Sequence, residues 1–276
     1  MTTMMLMIIV IVMVSMLHSN AYVMKQRTIN HMKKSAATTT TTTKLSALSA
    51  VSAVSIAQKA ATLPLLYCLM SVNEYITHRF YQHAEFNKIT KFLGLNYKIK
   101  GGGHVEHHAE TRDDMSLKID DEQWKKTPAY QSLSADKYRG TAFSWSVFGL
   151  MIIQMMVSTV PLFKYVLGYS FPVTMTILVP ALFIYTSAWN TLHPGMHGLE
   201  DNKITEGPPS SLLAKFRNSA YFKYIEKNHI GHHIMPCNYN VCAPGADMVF
   251  GTHVPEEVWR KKQRIEDRTA KELVLN

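Results

Sequence analysis

The sequence predicts an all-α, polytopic integral membrane protein. Three observations lead to this prediction: long stretches without formal charge, an uneven distribution of Lys and Arg, and a tight clustering of histidines. Of the 276 residues, 47% are apolar and only 18% are charged, a composition that argues against disorder and against a coiled coil. The three cysteines form no CxxC pair, which excludes a disulfide scaffold and a cysteine-rich zinc module.

Residues 1–44 are predicted to be a targeting presequence without a packed fold. The apolar run 4–17 is short for a membrane span and fits a signal peptide, and the small-x-small residues 19–21 follow it. No Asp or Glu precedes Glu74, and a run of threonines occupies 38–43. This two-part pattern resembles the presequences of plastid proteins in algae with secondary plastids. A simple signal peptide with a disordered tail, or a retained N-terminal anchor, are the alternatives.

Three uncharged stretches are predicted to span the membrane as helices, at about 45–73, 141–163 and 171–190. Each is long enough to cross roughly 30 Å of hydrocarbon. The first contains a single charge and forms one long helix or a pair hinged near Pro64. A turn around Gly168 makes the other two a helical hairpin. The alternative for all three is a set of buried helices in a soluble core.

The charges agree with a membrane topology. Eleven Lys and Arg lie in residues 79–139 and eleven more follow His197, whereas the hairpin turn carries only Lys164. Such an asymmetry fixes the orientation of spans. The clustered histidines lie in the positive regions or at the end of a span, so we expect them on one face of the membrane.

Ten of the thirteen histidines form the pattern HxxxxH, HxxHH, HxxxH, HxxHH. They are His78, His83, His104, His107, His108, His193, His197, His229, His232 and His233. Residues three and four apart share a helix face, so each HxxHH triplet can converge on one metal ion or on two neighbouring ions. A spacing of five on an α-helix separates the first two histidines by about 140°, which requires a kink or different metals. Ten imidazoles suit two ions, and imidazole binds Fe, Zn, Cu and Ni.

The order of these clusters, with the predicted hairpin in the middle, resembles the histidine boxes of the fatty acid hydroxylase/sterol desaturase superfamily. The segment 238–252 is similar to the one that follows the last box in that family, and the resemblance covers about residues 65–255. It implies a helical membrane domain over 45–255 with a helical cap. The ten boxed histidines would hold two Fe ions, with Zn possible in purified protein. Residues 256–276, beyond the resemblance, are predicted to form a polar tail.

The resemblance also implies an activity and its partners. O₂ is the expected co-substrate in the hydroxylation or desaturation of a C–H bond of a fatty-acyl or sterol-like lipid. We expect the protein in a plastid membrane of an alga or in the endoplasmic reticulum. A separate protein would donate the electrons, ferredoxin in the plastid or cytochrome b5 in the endoplasmic reticulum. No nucleic-acid partner is expected. No catalytic residue is predicted beyond the ligands. Glu106, Glu110 and Asp247 are candidate partners of the ligand imidazoles, and Asn190 either reaches the site or caps the span.

Two alternatives remain open at this point. The first is a carotenoid ring hydroxylase of the plastid, although the segment 244–247 favours the fatty acid and sterol branch. The second is a non-catalytic metal-binding membrane protein or a transporter. Transporters place polar ligands in the middle of their spans, whereas the histidines here lie outside the predicted spans or at their ends.

Overall fold

The computed structural model describes residues 42–199 and 210–275 of the chain. These residues are mostly helical, and no strand forms among them. The α-helices, in chain order, are α1 (Thr42–Ile76), α2 (Phe86–Phe92), α3 (His104–Glu110), α4 (Glu122–Lys125), α5 (Pro128–Ser134), α6 (Trp145–Tyr165), α7 (Phe171–Met196), α8 (Ser210–Arg217), α9 (Ala220–Ile234), α10 (Ala246–Val249) and α11 (Glu256–Leu275). A π-helix (Thr77–Gln82) follows α1, and a 3₁₀-helix (Gly101–Gly103) precedes α3. The predicted presequence lies outside the described residues except for 42–44.

The local sequence explains how the short histidine-bearing helices begin. The hydroxyl of Ser219 accepts a hydrogen bond from the N–H of Phe222 at 3.1 Å and caps α9. Before α3, Gly101 has a φ of 70°, and a Cβ on it would overlap the carbonyl oxygen of Gln82. Only glycine allows the backbone there to approach the π-helix this closely.

The chain forms two compact units. The first contains the described residues 42–67 and Met155–Val179, with Phe163 and Leu178 fully buried in it. A tight turn joins α6 to α7, with Gly168 at a φ of 69°. The hydroxyl groups of Thr62 and Tyr169 are hydrogen-bonded at 2.8 Å and hold α1 against this turn.

The second unit contains Cys68–Gln154 and the described residues from Pro180 onwards. Its core forms between the first half of α6 and the second half of α7, where Met151 and Trp189 are fully buried. Phe222 and Ile225 of α9 pack into the same cluster together with residues 241–243. This packing fixes α7 and α9 relative to each other, and both helices carry predicted ligands in their last turns.

By length and composition, two described helices can cross a membrane, Trp145–Tyr165 and Phe171–Met196. Their most apolar windows are only 28% and 22% buried, whereas a core helix of a soluble protein is mostly buried. Large apolar side chains such as Val157 and Ile184 are 70% and 68% exposed. These exposed apolar faces indicate membrane association. The third predicted span lies within α1, which is not one of these two helices, and stays a prediction.

The structure settles several details of the helices. Helix α1 is continuous through Pro64. Helix α7 does not end near residue 190, where the predicted span ends, but continues through Pro194 to Met196. His193 therefore lies in the last turn of α7 and His197 directly after it. Residues 256–275, expected as a polar tail, form helix α11, whose Trp259 is 1% exposed.

Candidate metal centre

His78 and His83 are placed by the π-helix. The N–H of His83 donates to the carbonyl of His78 at 3.0 Å, which is the i to i+5 hydrogen bond of π geometry. Five residues therefore make about one turn, and the two rings lie 5.0 Å apart between centroids. The α-helical spacing predicted that these side chains diverge, and the π-helix instead brings them together.

The ten predicted histidines lie in two adjacent groups. Site 1 consists of His78, His83, His104, His108 and His232. Site 2 contains His107, His193, His197 and His233. Within each of these groups the possible ligand nitrogens lie within 4.8 Å of one another. His229 lies beside site 2, because its Nε2 is 3.0 Å from Nε2 of His197 and 3.1 Å from Nε2 of His233.

Each HxxHH triplet contributes to both sites. On α3, His104 and His108 face site 1, while His107 faces site 2, with its Nε2 3.1 Å from Nε2 of His197. On α9 the division is reversed: His232 faces site 1, whereas His233 belongs to site 2 and His229 lies beside it. The rings of His108 and His233 stack across the two sites with centroids 4.0 Å apart. Of the two arrangements that the spacing allowed, the structure shows two neighbouring sites.

Backbone carbonyls fix the tautomer of five of these histidines. In each, Nδ1 faces one backbone carbonyl oxygen. The pairs are His78 with Tyr239, His104 with Gly140, His193 with Thr141, His197 with Met115, and His232 with Cys237. The distance is 2.7 Å for His193 and 2.6 Å for His232. Because a carbonyl oxygen only accepts, each Nδ1 carries the proton, and a neutral ring then has its lone pair on Nε2.

This tautomer turns lone pairs toward one another. Nε2 of His78 and Nε2 of His104 are 2.7 Å apart, and both rings already donate through Nδ1. No proton is available to join the two Nε2 atoms, so they repel unless a cation lies between the ligands. At site 2, the buried Nε2 of His193 has no hydrogen-bond partner among the described residues. Buried polar atoms are rarely left in this state without an ion or a water.

Burial keeps the imidazoles neutral. It lowers the pKa of His83 to about 2, of His104 to about 3 and of His197 to about 4, from an ordinary value of 6.5. The neighbouring His232 lowers the pKa of His104 further, because two positive rings would repel each other. Protonation therefore does not relieve the lone-pair contacts near neutral pH, and the neutral ring is the form that binds a metal.

The donor set fits two metal ions. Each site offers at least four imidazole nitrogens and, among the described residues, neither group includes a carboxylate or a cysteine. Imidazole suits Fe, Zn, Cu and Ni, whereas Mg and Ca prefer oxygen ligands. The histidine clusters can thus hold transition metal ions.

The carboxylates that the sequence singled out do not bond the imidazoles. Glu110 is fully buried and forms a salt bridge with Arg139, and it also accepts from the indole N–H of Trp124 at 2.9 Å. Asp247 accepts from backbone N–H groups, and the buried Oε2 of Glu106 has no hydrogen-bond partner among the described residues. Backbone carbonyls, instead of these carboxylates, accept the Nδ1–H hydrogen bonds of the ligand imidazoles.

The fully buried Glu74 is a residue that sequence reasoning missed. Its carboxylate accepts from the N–H groups of Val241 at 2.6 Å, Cys242 at 2.7 Å and Ala243 at 2.7 Å. Burial raises the pKa of Glu74 to about 7, and these hydrogen bonds counteract the rise. A signal was present in the sequence, because the first acidic residue of the chain stands at the end of an apolar stretch, one helical turn before His78.

Trp189 lies against both sites, and its stacking partner lines a cavity. Its ring centroid is 5.4 Å from that of His78 and 5.1 Å from that of His193, and its ring stacks on that of Phe143 at 4.4 Å. Phe143 lines a cavity of about 310 Å³. Its aromatic lining also includes Tyr138, Trp145, Phe148 and Phe183. Asn190 also lines it and bonds the backbone of Phe143 at 2.7 Å, so it joins α7 to the segment before α6 rather than reaching a metal site.

Comparison of the chain with protein-family models, curated proteins and solved structures finds no match.

Proposed function

We propose that the protein is an O₂-dependent, di-iron membrane oxidoreductase that hydroxylates or desaturates a C–H bond of a fatty-acyl or sterol-like lipid in lipid biosynthesis. One observation carries this proposal: two adjacent sites of buried, neutral imidazoles direct their lone pairs inward. Iron held there would supply the O₂ activation that attack on an unactivated C–H bond requires. Neutral nitrogen ligands suit iron in more than one oxidation state.

The reaction needs electrons that the described chain does not supply. In hydroxylation, one oxygen atom of O₂ enters the lipid and the other leaves as water, with two electrons and two protons consumed. In desaturation, the lipid loses two hydrogens and both oxygen atoms leave as water, with the same consumption of two electrons and two protons. A separate one-electron donor, ferredoxin in a plastid or cytochrome b5 in the endoplasmic reticulum, would deliver these electrons.

The lining of the cavity favours a substrate with a large apolar part. Aromatic side chains line much of the cavity, and Phe143 among them stacks on Trp189, whose ring lies near those of His78 and His193. The polar lining residues are Asp136, Ser144, Thr186, Ser187 and Asn190. Trp189 and His193 both donate to the carbonyl of Thr141, at 3.1 Å and 2.7 Å, so the indole is fixed against the ligand. An acyl or ring substrate in this cavity would lie next to Phe143, which stacks on Trp189.

The exposed apolar faces of α6 and α7 support a site beside the bilayer. His193 lies in the last turn of α7, and the other nine histidines of the two sites lie outside both helices. A lipid dissolved in the membrane can reach such a site from the hydrocarbon side. The placement disfavours a transporter, whose ligands would lie in the middle of the spans.

The test is the mass of the lipid product formed under ¹⁸O₂. We would express the wild-type chain, with its electron donor, in a host that supplies fatty-acyl and sterol-like lipids. His232→Ala removes a site 1 ligand, and His253→Ala is the matched control because His253 belongs to neither site. Hydroxylation adds one labelled oxygen to a lipid, and desaturation removes two hydrogens.

We expect the product from the wild type and from His253→Ala, and none from His232→Ala. A carotenoid product in a carotenoid-producing host would instead support the ring hydroxylase. An iron-loaded, reduced chain that changes no lipid would contradict the enzymatic proposal and favour a non-catalytic metal-binding protein.

A further inference from the structure

We infer that Glu74 and Asp247 are positioning residues for site 1. They clamp the segment 237–243 so that the carbonyls of Cys237 and Tyr239 hold His232 and His78 in their ligand orientation. This inference rests on the proposed two-metal centre. It predicts that two buried carboxylates, neither of which contacts a histidine of the sites, control one metal site and leave the other unchanged.

Asp247 orients the peptide that serves His78. Its Oδ2 accepts from the N–H of Asn240 at 2.7 Å, and its Oδ1 accepts from the N–H of Tyr239 at 2.9 Å. In a trans peptide, the N–H and the preceding carbonyl point in opposite directions. Because Asp247 holds the N–H of Asn240, the carbonyl of Tyr239 is directed away from Asp247 and toward Nδ1 of His78.

The peptide that serves His232 is held in the same manner. The N–H of Asn238 donates to the carbonyl of Thr252 at 3.0 Å, and the carbonyl of Cys237 on the other side of that peptide meets Nδ1 of His232 at 2.6 Å. The hydroxyl of Thr252 donates to Asp247 at 2.6 Å. Asp247 therefore supports both peptides.

Glu74 fixes the other end of the segment to the helix that carries His78. Three consecutive N–H groups, those of Val241, Cys242 and Ala243, converge on its two oxygens. Both oxygens accept, as a carboxylate requires, and an amide in this place would turn an NH₂ group toward an N–H. Because Glu74 lies one turn before His78, a single side chain sets the distance between this histidine and the segment that orients it.

The clamp serves site 1 alone. Tyr239 and Cys237 bond His78 and His232, which are both ligands of site 1. The carbonyls that orient His193 and His197 at site 2 belong to Thr141 and Met115, outside the segment. Removing an outer partner of a ligand typically lowers metal affinity by roughly 10–100-fold. The loss is therefore expected at site 1 only.

The experiment measures release of Fe²⁺ to a chelator from the iron-loaded full chain in detergent. Glu74→Gln and Asp247→Asn are each made alone, in a His232→Ala background that is expected to lack the site 1 metal, and in a His197→Ala background that is expected to lack the site 2 metal. Glu110→Gln is the matched control, because Glu110 is equally buried but holds Arg139, next to the carbonyls that serve His104 at site 1 and His193 at site 2.

We expect Glu74→Gln and Asp247→Asn to accelerate release roughly 10–100-fold in the His197→Ala background and to change nothing in the His232→Ala background. Glu110→Gln should accelerate release in both. Equal acceleration in both backgrounds by the two clamp variants, or none, overturns the inference and leaves the two-metal proposal intact. If Glu74→Gln does not fold, Asp247→Asn decides alone. A wild-type chain that binds no iron contradicts the proposed function itself.

Discussion

Sites 1 and 2 use the same ligand type but differ in how the protein supports it. At site 1, His78, His104 and His232 each donate through Nδ1 to a backbone carbonyl. At site 2, counting His229, only His193 and His197 do so. The buried Nδ1 atoms of the other three site 2 histidines, His107, His229 and His233, have no hydrogen-bond partner among the described residues.

The two sites therefore offer similar numbers of ligands but differ in how many of those ligands are oriented before a metal binds. An imidazole whose Nδ1 is held by a carbonyl has its tautomer and ring plane fixed before a metal arrives, whereas a free ring must be ordered when the metal binds. We therefore expect site 1 to retain its metal longer than site 2, although the ligand atoms of both sites are imidazole nitrogens.

The largest effect is expected from removing a ligand. His232→Ala should empty site 1 and His197→Ala should empty site 2, each leaving about half of the wild-type metal and no lipid product. The loss of affinity should exceed the roughly 100-fold cost of losing an outer partner. Metal analysis of the two purified variants measures it. If either variant retains both metals, the division of the histidines between two sites is wrong.

A smaller effect separates the two sites in the unchanged protein. Release of iron to a chelator should occur in two phases. Site 2 should lose its iron roughly 10-fold or more faster than site 1, because backbone carbonyls hold fewer of its imidazole rings. The single-site variants assign the phases. Slower release from site 2 would reverse the comparison.

A glycine on α9 tests whether α11 constrains the helix that carries histidines of both sites. A Cβ on Gly231 would lie 2.6 Å from the indole of Trp259, so Gly231→Ala should cost about 1–3 kcal/mol of stability and disturb both sites. Gly149→Ala is the control, because nothing lies within 4 Å of that Cβ. Thermal unfolding in detergent compares the two variants. An unchanged Gly231→Ala protein would mean that α11 does not constrain α9.

Acid should act on the two sites alike, because burial is common to both. The pKa of His104 at site 1 is lowered to about 3 and that of His197 at site 2 to about 4, whereas an unfolded chain takes up protons near 6.5. As pH falls below 6.5, the unfolded state binds protons that the folded state does not. The metal-free protein should therefore lose about 1.4 kcal/mol per pH unit for each such histidine. Chemical unfolding at pH 7 and pH 5.5 measures this, and equal stability would contradict neutral burial.

The sequence predicted the parts of this structure that depend on local pattern. Two of the uncharged stretches became α6 and α7, because length and apolarity alone determine such helices. The ten histidines were identified from spacing, and the structure brings them together. Four closely spaced histidine clusters in one chain form a distinctive pattern, so the sequence alone identifies these residues.

The arrangement of the site could not be predicted in the same way. The π-helix that joins His78 to His83 replaces the α-helical pattern over a single turn, and its spacing of five looks unfavourable on an α-helix. The split of each HxxHH triplet depends on how α3 and α9 pack. The carbonyls of Gly140 and Tyr239 and the carboxylate of Glu74 come from distant segments, and a backbone carbonyl has no signature in a sequence.

The most direct test of the two-metal account is the metal content of the wild-type chain, purified in detergent after iron-replete expression. The account predicts about two iron ions per chain, unchanged in His253→Ala and reduced by half in His232→Ala. Two zinc ions would keep the sites and contradict the assignment of iron. A well-folded chain without stoichiometric metal would contradict the central claim.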